Sequence, residues 1–450
     1  MNLLGIDVGS SSVKSAVLRD GKVVGKITRA YFPTRHEGVR VEVDPAAVLK
    51  AVRDTVRELG PRARRVEAVT LATMSPAWVA MDAKGKALTP LVTHQDRRSV
   101  SVATALEERV GRERHLQLAG NRPFPGGISS TTWAWYRAHG PQVFKRADLV
   151  GHLNTYLHRL MTGARVTDPS NASFTGLYRT LDQSGWSEEL CEAVGADASL
   201  LPEVLEGDRV GGRINGTAAR DFGLAEGLPM TVGVVDTSAA MLLAGARPGQ
   251  LLNVCGSTDV LALCTDRPRP HEKLLTRALG VGNRWMSVST LAAAASAIYW
   301  VRRELFADWT DARFVKEVRK LGLPPDSRGR KPAGGAAERT HPDGAVTFEP
   351  YLAGERTSIE QRRGAFAGLT LATTREQMLA AVIESLVKAS AARLSLLDTG
   401  DVKILRTVVV SGGAKDRLDE LFHRDWPGRW DFHAEDEATL RGLGELVPRE

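Results

Sequence analysis

Asp7-Val8-Gly9-Ser10-Ser11-Ser12-Val13-Lys14 places an acid, a turn of small hydroxyl-bearing residues and a lysine in one short stretch. A strand that ends in an aspartate and turns through such residues can grip phosphate oxygens with N–H and O–H groups, while the carboxylate holds a hydrated Mg²⁺. Gly9 lets the backbone approach an anion, and Lys14, on the following strand, either adds charge or serves the structure. On its own the segment is explained equally well as a hairpin with a polar tip. Cys255-Gly256-Ser257-Thr258-Asp259 is a second turn of the same kind, and two such turns across a cleft can clamp a polyphosphate from both sides. Ser411-Gly412-Gly413-Ala414 follows an apolar strand directly, a junction that permits close approach to a nucleotide. Asp236 ends the apolar run TVGVVD and precedes TSAAMLLAGA. It is either a helix N-cap or a general base aimed at a substrate hydroxyl, as phosphoryl transfer requires.

The elements that must carry these residues can be read from patterning. LLGID, VKSAVL and VVGKIT are short apolar strands joined by Gly-bearing turns, a meander that opens a domain. The pattern of strand, Gly/Ser/Thr turn and strand recurs near 250–265, and two hairpins of one design at 3–18 and 250–265 indicate an internal duplication. Residues 66–74 and 229–236 read as buried strands, whereas 100–115 and 130–160 have helical spacing, so the class is α/β. The Pro-, Gly- and charge-rich stretch 323–346 reads as an exposed loop. A helix is expected from Thr374 to Leu397, with Met378, Ala381, Val382, Leu386 and Ala389 on its buried face, and a strand from 404 to 410.

A chain of 450 residues is about three times the common domain size of roughly 150, which predicts two or three domains. With 43% hydrophobic and 25% charged residues it can bury sizeable cores, which excludes collagen-like, coiled-coil and disordered readings. Sixty Lys+Arg against 53 Asp+Glu leave +7, an excess that suits anionic substrates without calling for nucleic acid. Cys191, Cys255 and Cys264 form no CxxC pair, so neither a disulfide framework nor a zinc site is expected. The opening MNLLGIDVGS lacks signal-peptide character, and no stretch approaches the ~20 apolar residues of a membrane span. These features predict a soluble cytoplasmic protein without membrane partners.

The ordered constellation resembles the FGGY carbohydrate kinase family, xylulokinase-like, within the actin/hexokinase-like ATPase superfamily. GIDVGSSSVK at 5–14 resembles the family's first phosphate motif, and CGSTDV at 255–260 the second. DRR at 96–98, TDPSNAS at 167–173 and GLPMTVGVVDTSAA at 227–240 are similar to the segments that contact sugar and present the base. YLAGERTSIEQRRGAFAGL at 351–369 is similar to the signature built on Gly-Glu-Arg, and VVVSGGA at 408–414 to the adenosine segment. The resemblance implies two duplicated actin-like (ribonuclease H-like) domains, 1–243 and 247–450, with an interdomain cleft. It implies an ATP- and Mg²⁺-dependent kinase of a small sugar, with a pentulose such as xylulose ranked first and gluconate, glycerol or heptulose as alternatives. A non-catalytic relative that binds sugar or nucleotide is a second class, and a homodimer is the default assembly. Under the resemblance Asp236 removes the hydroxyl proton, Asp7 holds the metal, and Ser10, Ser11, Lys14, Gly256, Ser257 and Thr258 meet the phosphates. Gly412, Gly413 and Ala414 border the adenine, and Ser75, Trp78, Asp96 and Asp236 meet the sugar.

Three positions depart from the family pattern. Ser75 and Pro76 stand where pentulose kinases carry the His-Gly of Met-His-Gly and glycerol kinases an Arg-Glu, and neither replaces an imidazole or a guanidinium. His94-Gln95 replaces the aromatic residue ahead of Asp96. Asp259 puts a carboxylate beside the second phosphate turn, where it must point away, coordinate a cation or weaken ATP use. Glu355 and Arg356 are expected to hold the signature loop together as an ion pair.

Overall fold

A computed structural model of the chain describes residues 1–322, 346–412 and 419–450. The expected loop at 323–346, Val346 apart, and the candidates Gly413 and Ala414 lie outside the described residues.

The opening meander is β1 (Asn2–Val8), β2 (Ser12–Arg19) and β3 (Lys22–Tyr31), each antiparallel to the next. Helix α1 (Pro45–Glu58) starts where the Asp44 carboxylate accepts from the Ala46 N–H, and buries Val48, Ala51, Val52 and Val56 in the core that also holds Leu4, Ile6 and Val17. Strand β4 (Ala68–Thr73) runs parallel to β1, and β5 (Ala77–Met81) belongs to a separate sheet. The buried strand expected at 66–74 is β4, and Ser75 lies in the turn between it and β5. Strands β6 (Val210–Arg213), β7 (Pro229–Thr231) and β8 (Val234–Val235) complete the first sheet in the order β6-β7-β4-β1-β2-β3, with β8 also pairing β4.

Helix α2 (Asp236–Leu243) leads to the second sheet. That sheet contains β9 (Leu251–Cys255), β10 (Asp259–Thr265), β11 (Leu275–Ala278) and β12 (Trp285–Leu291). After helices α3 (Ala295–Leu305) and α4 (Arg375–Leu397) come β13 (Thr407–Ser411) and β14 (Asp431–Ala434), giving the order β11-β12-β10-β9-β13-β14. In both sheets a strand and its antiparallel hairpin partner stand beside a third antiparallel strand, and a later strand pairs parallel with the first: β3-β2-β1-β4 and β12-β10-β9-β13. The predicted duplication is thus present as topology, not only as two similar turns.

Helix α2 joins the two halves. Ala239 packs with Leu3, Leu18 and Val234 of the first sheet, whereas Ala240 and Met241 pack with Leu252, Leu275 and Val409 of the second. Residues 247–435 carry the second sheet, but α5 (Ala438–Gly442) and the turn after it return to the first. Leu440, Leu443 and Leu446 are fully buried there, so the domain expected at 247–450 gives its tail to its neighbour. Gly442 makes this crossing possible, since a Cβ there would lie 1.8 Å from the Ala239 carbonyl oxygen. Segment 130–160 is likewise not a single helical region: helices Ser130–His139 and Leu153–Met161 flank a strand at Leu149–Gly151.

Candidate active site

Both small-residue turns hang at the carboxyl ends of the hairpin strands. In the first, the Gly9 N–H donates to the Ser12 carbonyl (3.0 Å), and Ser10 and Ser11 are exposed. In the second, the Gly256 N–H donates to the Thr258 carbonyl (2.8 Å), and the Ser257 carbonyl accepts from Ala294 N–H and the Ser296 hydroxyl at the start of α3. Gly412 has φ 114°, and a Cβ there would meet the Cys255 carbonyl at 2.2 Å; glycine alone brings the end of β13 onto this turn.

Asp7 and Asp236 come together through strand order. Asp7 lies opposite Ala72 of β4, while Val234 and Val235 pair with Ala72 and Thr73 on its other side. The two carboxylates therefore emerge at one end of the sheet, separated by one strand. Burial pushes Asp7 up to about 7, Lys14 opposes the shift and the Asp236 charge adds to it. Burial also raises Asp236, against the pull of Arg277 and Arg356. Asp236 is the first residue of α2 and not its N-cap; that position is Val235, and the Asp236 carboxylate accepts from the Thr237 N–H at 2.5 Å. Lys14 Nζ stands 4.0 Å from Asp7 and bonds Glu437, which also accepts from Arg29 at 2.8 Å. Lys14 is thereby held between carboxylates at the edge of the first turn.

The residues expected at the sugar divide. Ser75 is buried beside the arginines: its hydroxyl lies 3.3 Å from His152 Nδ1, whose Nε2 meets the Ser129 hydroxyl at 2.9 Å, and its carbonyl accepts from Arg356 at 2.8 Å. Burial lowers His152 to about 3, so that ring is neutral. Trp78 is not there. It is 2% exposed, stacks on Tyr136 at 4.8 Å and meets the edge of Trp133, a core aromatic cluster. Asp96 is buried, with its carboxylate occupied by Arg98 (2.7–3.0 Å) and the Val41 N–H (2.8 Å), so it builds the wall of the site.

Asp259 points away from its turn. It is fully buried, bonded by Arg393 of α4 and by Asn253 Nδ2, which removes the repulsion expected against a triphosphate. Glu355 and Arg356 do not pair: the cation near Glu355 is Arg362 at 4.0 Å, while Arg356 reaches Ser75.

Sequence reasoning missed the cations of the site. Arg277 of β11 is 2% exposed, bonds the Thr237 hydroxyl and lies over Phe174 at 5.3 Å; Arg356 covers the same ring at 5.5 Å. Arg97 Nη1 donates to the carbonyls of His94, Asp96 and Pro125. Burial lowers Arg277 and Arg97 to about 10 and Arg356 to about 9, so all three are charged at neutral pH, whereas His94 falls well below its usual value and is neutral. Arg97 and Arg356 line a cavity of about 810 Å³ together with Val41, His94, Thr258 and Tyr351, and Arg277 lies outside its lining. The only sequence signal for Arg277 was a charge inside the apolar run LLTRAL.

The carbohydrate kinase N-terminal domain of the FGGY family matches residues 2–243, and its C-terminal domain matches residues 251–421. The chain belongs to the FGGY family of carbohydrate kinases. This kinase is similar to the xylulose kinase of Escherichia coli K12, 26% identical over 420 residues that cover 92% of this chain and 82% of the relative. It is also similar to the gluconokinase of Bacillus subtilis 168, 24% identical over 427 residues, 92% of this chain and 81% of the relative. The solved xylulose kinase of Lactobacillus acidophilus has the same two-domain α/β fold, with a TM-score of 0.82 at 20% identity over 99% of this chain and 88% of that one. The kinase is accordingly a phosphotransferase with an alcohol acceptor. No described helix is long and apolar enough to cross a membrane.

Proposed function

We propose that this kinase transfers the γ-phosphoryl group of ATP to a hydroxyl of a small sugar bound at the base of the cleft, with Asp236 as general base. The observation that carries the reading is the pairing of Asp236 with Asp7 at one end of the first sheet, with arginines acting on Asp236 and a lysine beside Asp7. Burial strengthens the Asp236 carboxylate as a proton acceptor, and the charges of Arg277 and Arg356 favour its ionised form, the form that takes the hydroxyl proton as the oxygen attacks.

Asp7 suits a divalent cation: its buried carboxyl has a raised pKa that a metal's charge would relieve. Mg²⁺ would be held there by one carboxylate, water and the phosphates. Such an ion supplies neutralisation of charge on the transferred group. Ser10, Ser11, Gly256, Ser257 and Thr258 offer N–H and O–H donors to the phosphates, Gly412 leads to the adenine side, and Lys14 balances Asp7. A reducing cytoplasmic setting belongs to the same reading.

Kinship with xylulose kinases supports a pentulose such as xylulose as the first substrate. The buried arginines favour a second reading, a sugar acid. The non-catalytic alternative loses one of its motives now that Asp259 is paired with Arg393. The test is ADP release from Mg·ATP over ketopentoses, aldonates, glycerol and a heptulose. At least one should stimulate ADP formation; ATP binding without stimulation by any of them overturns the kinase reading.

A further inference from the structure

Arg277 Nε and Nη1, Arg356 Nε and Arg97 Nε are buried nitrogens with no hydrogen-bond acceptor among the described residues. Unmet buried donors are costly, and those of a cation more so, which makes a cluster of them a place prepared for acceptors that arrive with a ligand. The nearby acids do not fill the need. Asp168 is engaged by Ser170 and by the Asn171 side-chain amide (2.6 Å), Asp96 by Arg98 and Val41, and Glu42 by Arg98. Asp236 accepts from Thr237.

The arginines are also fixed in place. Arg277 is tied to the Thr237 hydroxyl, Arg356 to the Ser75 carbonyl and Arg97 to three carbonyls, and the first two share the Phe174 face. Each guanidinium thus spends part of its donor fork on the protein and keeps the rest free. They lie on the sugar side: Ser75 and His94 are their neighbours, whereas the cations that act on Asp7 at the phosphate side are Lys14 and Arg29.

A fixed guanidinium fork matches the planar pair of oxygens of a carboxylate and binds it bidentately. A neutral ketose or polyol offers hydroxyls, which satisfy such donors singly and bring no negative charge to a site where Arg277 and Arg356 share the Asp236 carboxylate. We infer that the substrate carries a carboxylate, as an aldonic acid does, and that Arg277, Arg356 and Arg97 receive it while Asp236 faces one of its hydroxyls. This rests on the kinase reading for the role of Asp236, but the arginine site stands on its own as a binding site.

The test is calorimetric binding to the full chain without nucleotide, using aldonates of four to seven carbons, each paired with the ketose and alditol of the same carbon number. At least one aldonate should bind roughly 10–100-fold more tightly than its neutral partners, the usual worth of a charge-assisted contact set. Arg97→Gln and Arg277→Gln should each erase most of that preference. Arg277 is wholly buried, so the partly exposed Arg97 supplies the variant that keeps the fold, checked by its melting temperature. No aldonate preferred over its neutral partner, or a preference that survives both substitutions, overturns the inference. Turnover of a neutral sugar with no acid preference also overturns it and leaves the kinase reading standing. An aldonate that binds through these arginines while no compound of the panel is phosphorylated upholds the arginine site as a carboxylate-binding site and overturns the kinase reading.

Discussion

Asp7 shows how this site sets function against stability. Its ordinary pKa of 3.8 rises to about 7 in the fold, so between those values the folded protein holds a proton that the unfolded chain has released. The folded state is favoured by that proton below about 4 and loses the advantage as the pH climbs to about 7. Asp7→Asn should therefore raise the melting temperature at pH 8 by roughly 2–4 °C while abolishing phosphoryl transfer. A melting temperature that falls, or activity that persists, contradicts the assignment. Asp7, Ser10 and Asp236 could be singled out in the sequence because each belongs to a short contiguous motif. The buried arginines could not, because Arg97, Arg277 and Arg356 come from three remote segments that only tertiary packing assembles. Trp78 was misplaced for a related reason: every residue of β5 is buried, so no alternation marks which face looks into the cleft.

The hairpins and their neighbours explain a departure that looked damaging in the sequence. Asp259 opens β10 and meets Arg393 from near the C-terminal end of α4, over a hundred residues away in the chain, a pairing no local pattern could disclose. Helix α4 itself was legible, with a capping box between Thr374 and Gln377 that fixes its start. If the Asp259 carboxylate serves structure, Asp259→Asn strands the buried guanidinium and should cost about 3–5 kcal/mol in chemical denaturation, with KM for ATP unchanged within about threefold. An unchanged denaturation midpoint together with a lowered KM for ATP would show instead that the carboxylate repels nucleotide. The segment 70–82 is the opposite lesson. The strand expected at 66–74 is present, but the apolar run continues past a turn at Ser75 into β5, which pairs in a different sheet.

Across the whole molecule, the length that allowed two or three domains resolves into two sheets of related topology joined through α2, with the C-terminal tail folded back onto the first. The duplicated hairpins were visible in sequence, whereas the return of Leu440, Leu443 and Leu446 was not, since a few apolar residues near a terminus do not say which sheet they cover. This arrangement sets Asp236 at the first residue of the joining helix. The account stands most directly on the proton transfer assigned to that residue. In Asp236→Asn, turnover of the best sugar with Mg·ATP should fall by roughly 10²–10⁴, with sugar affinity no weaker than in the parent. Turnover close to that of the parent would remove Asp236 from the mechanism and contradict the account at its centre.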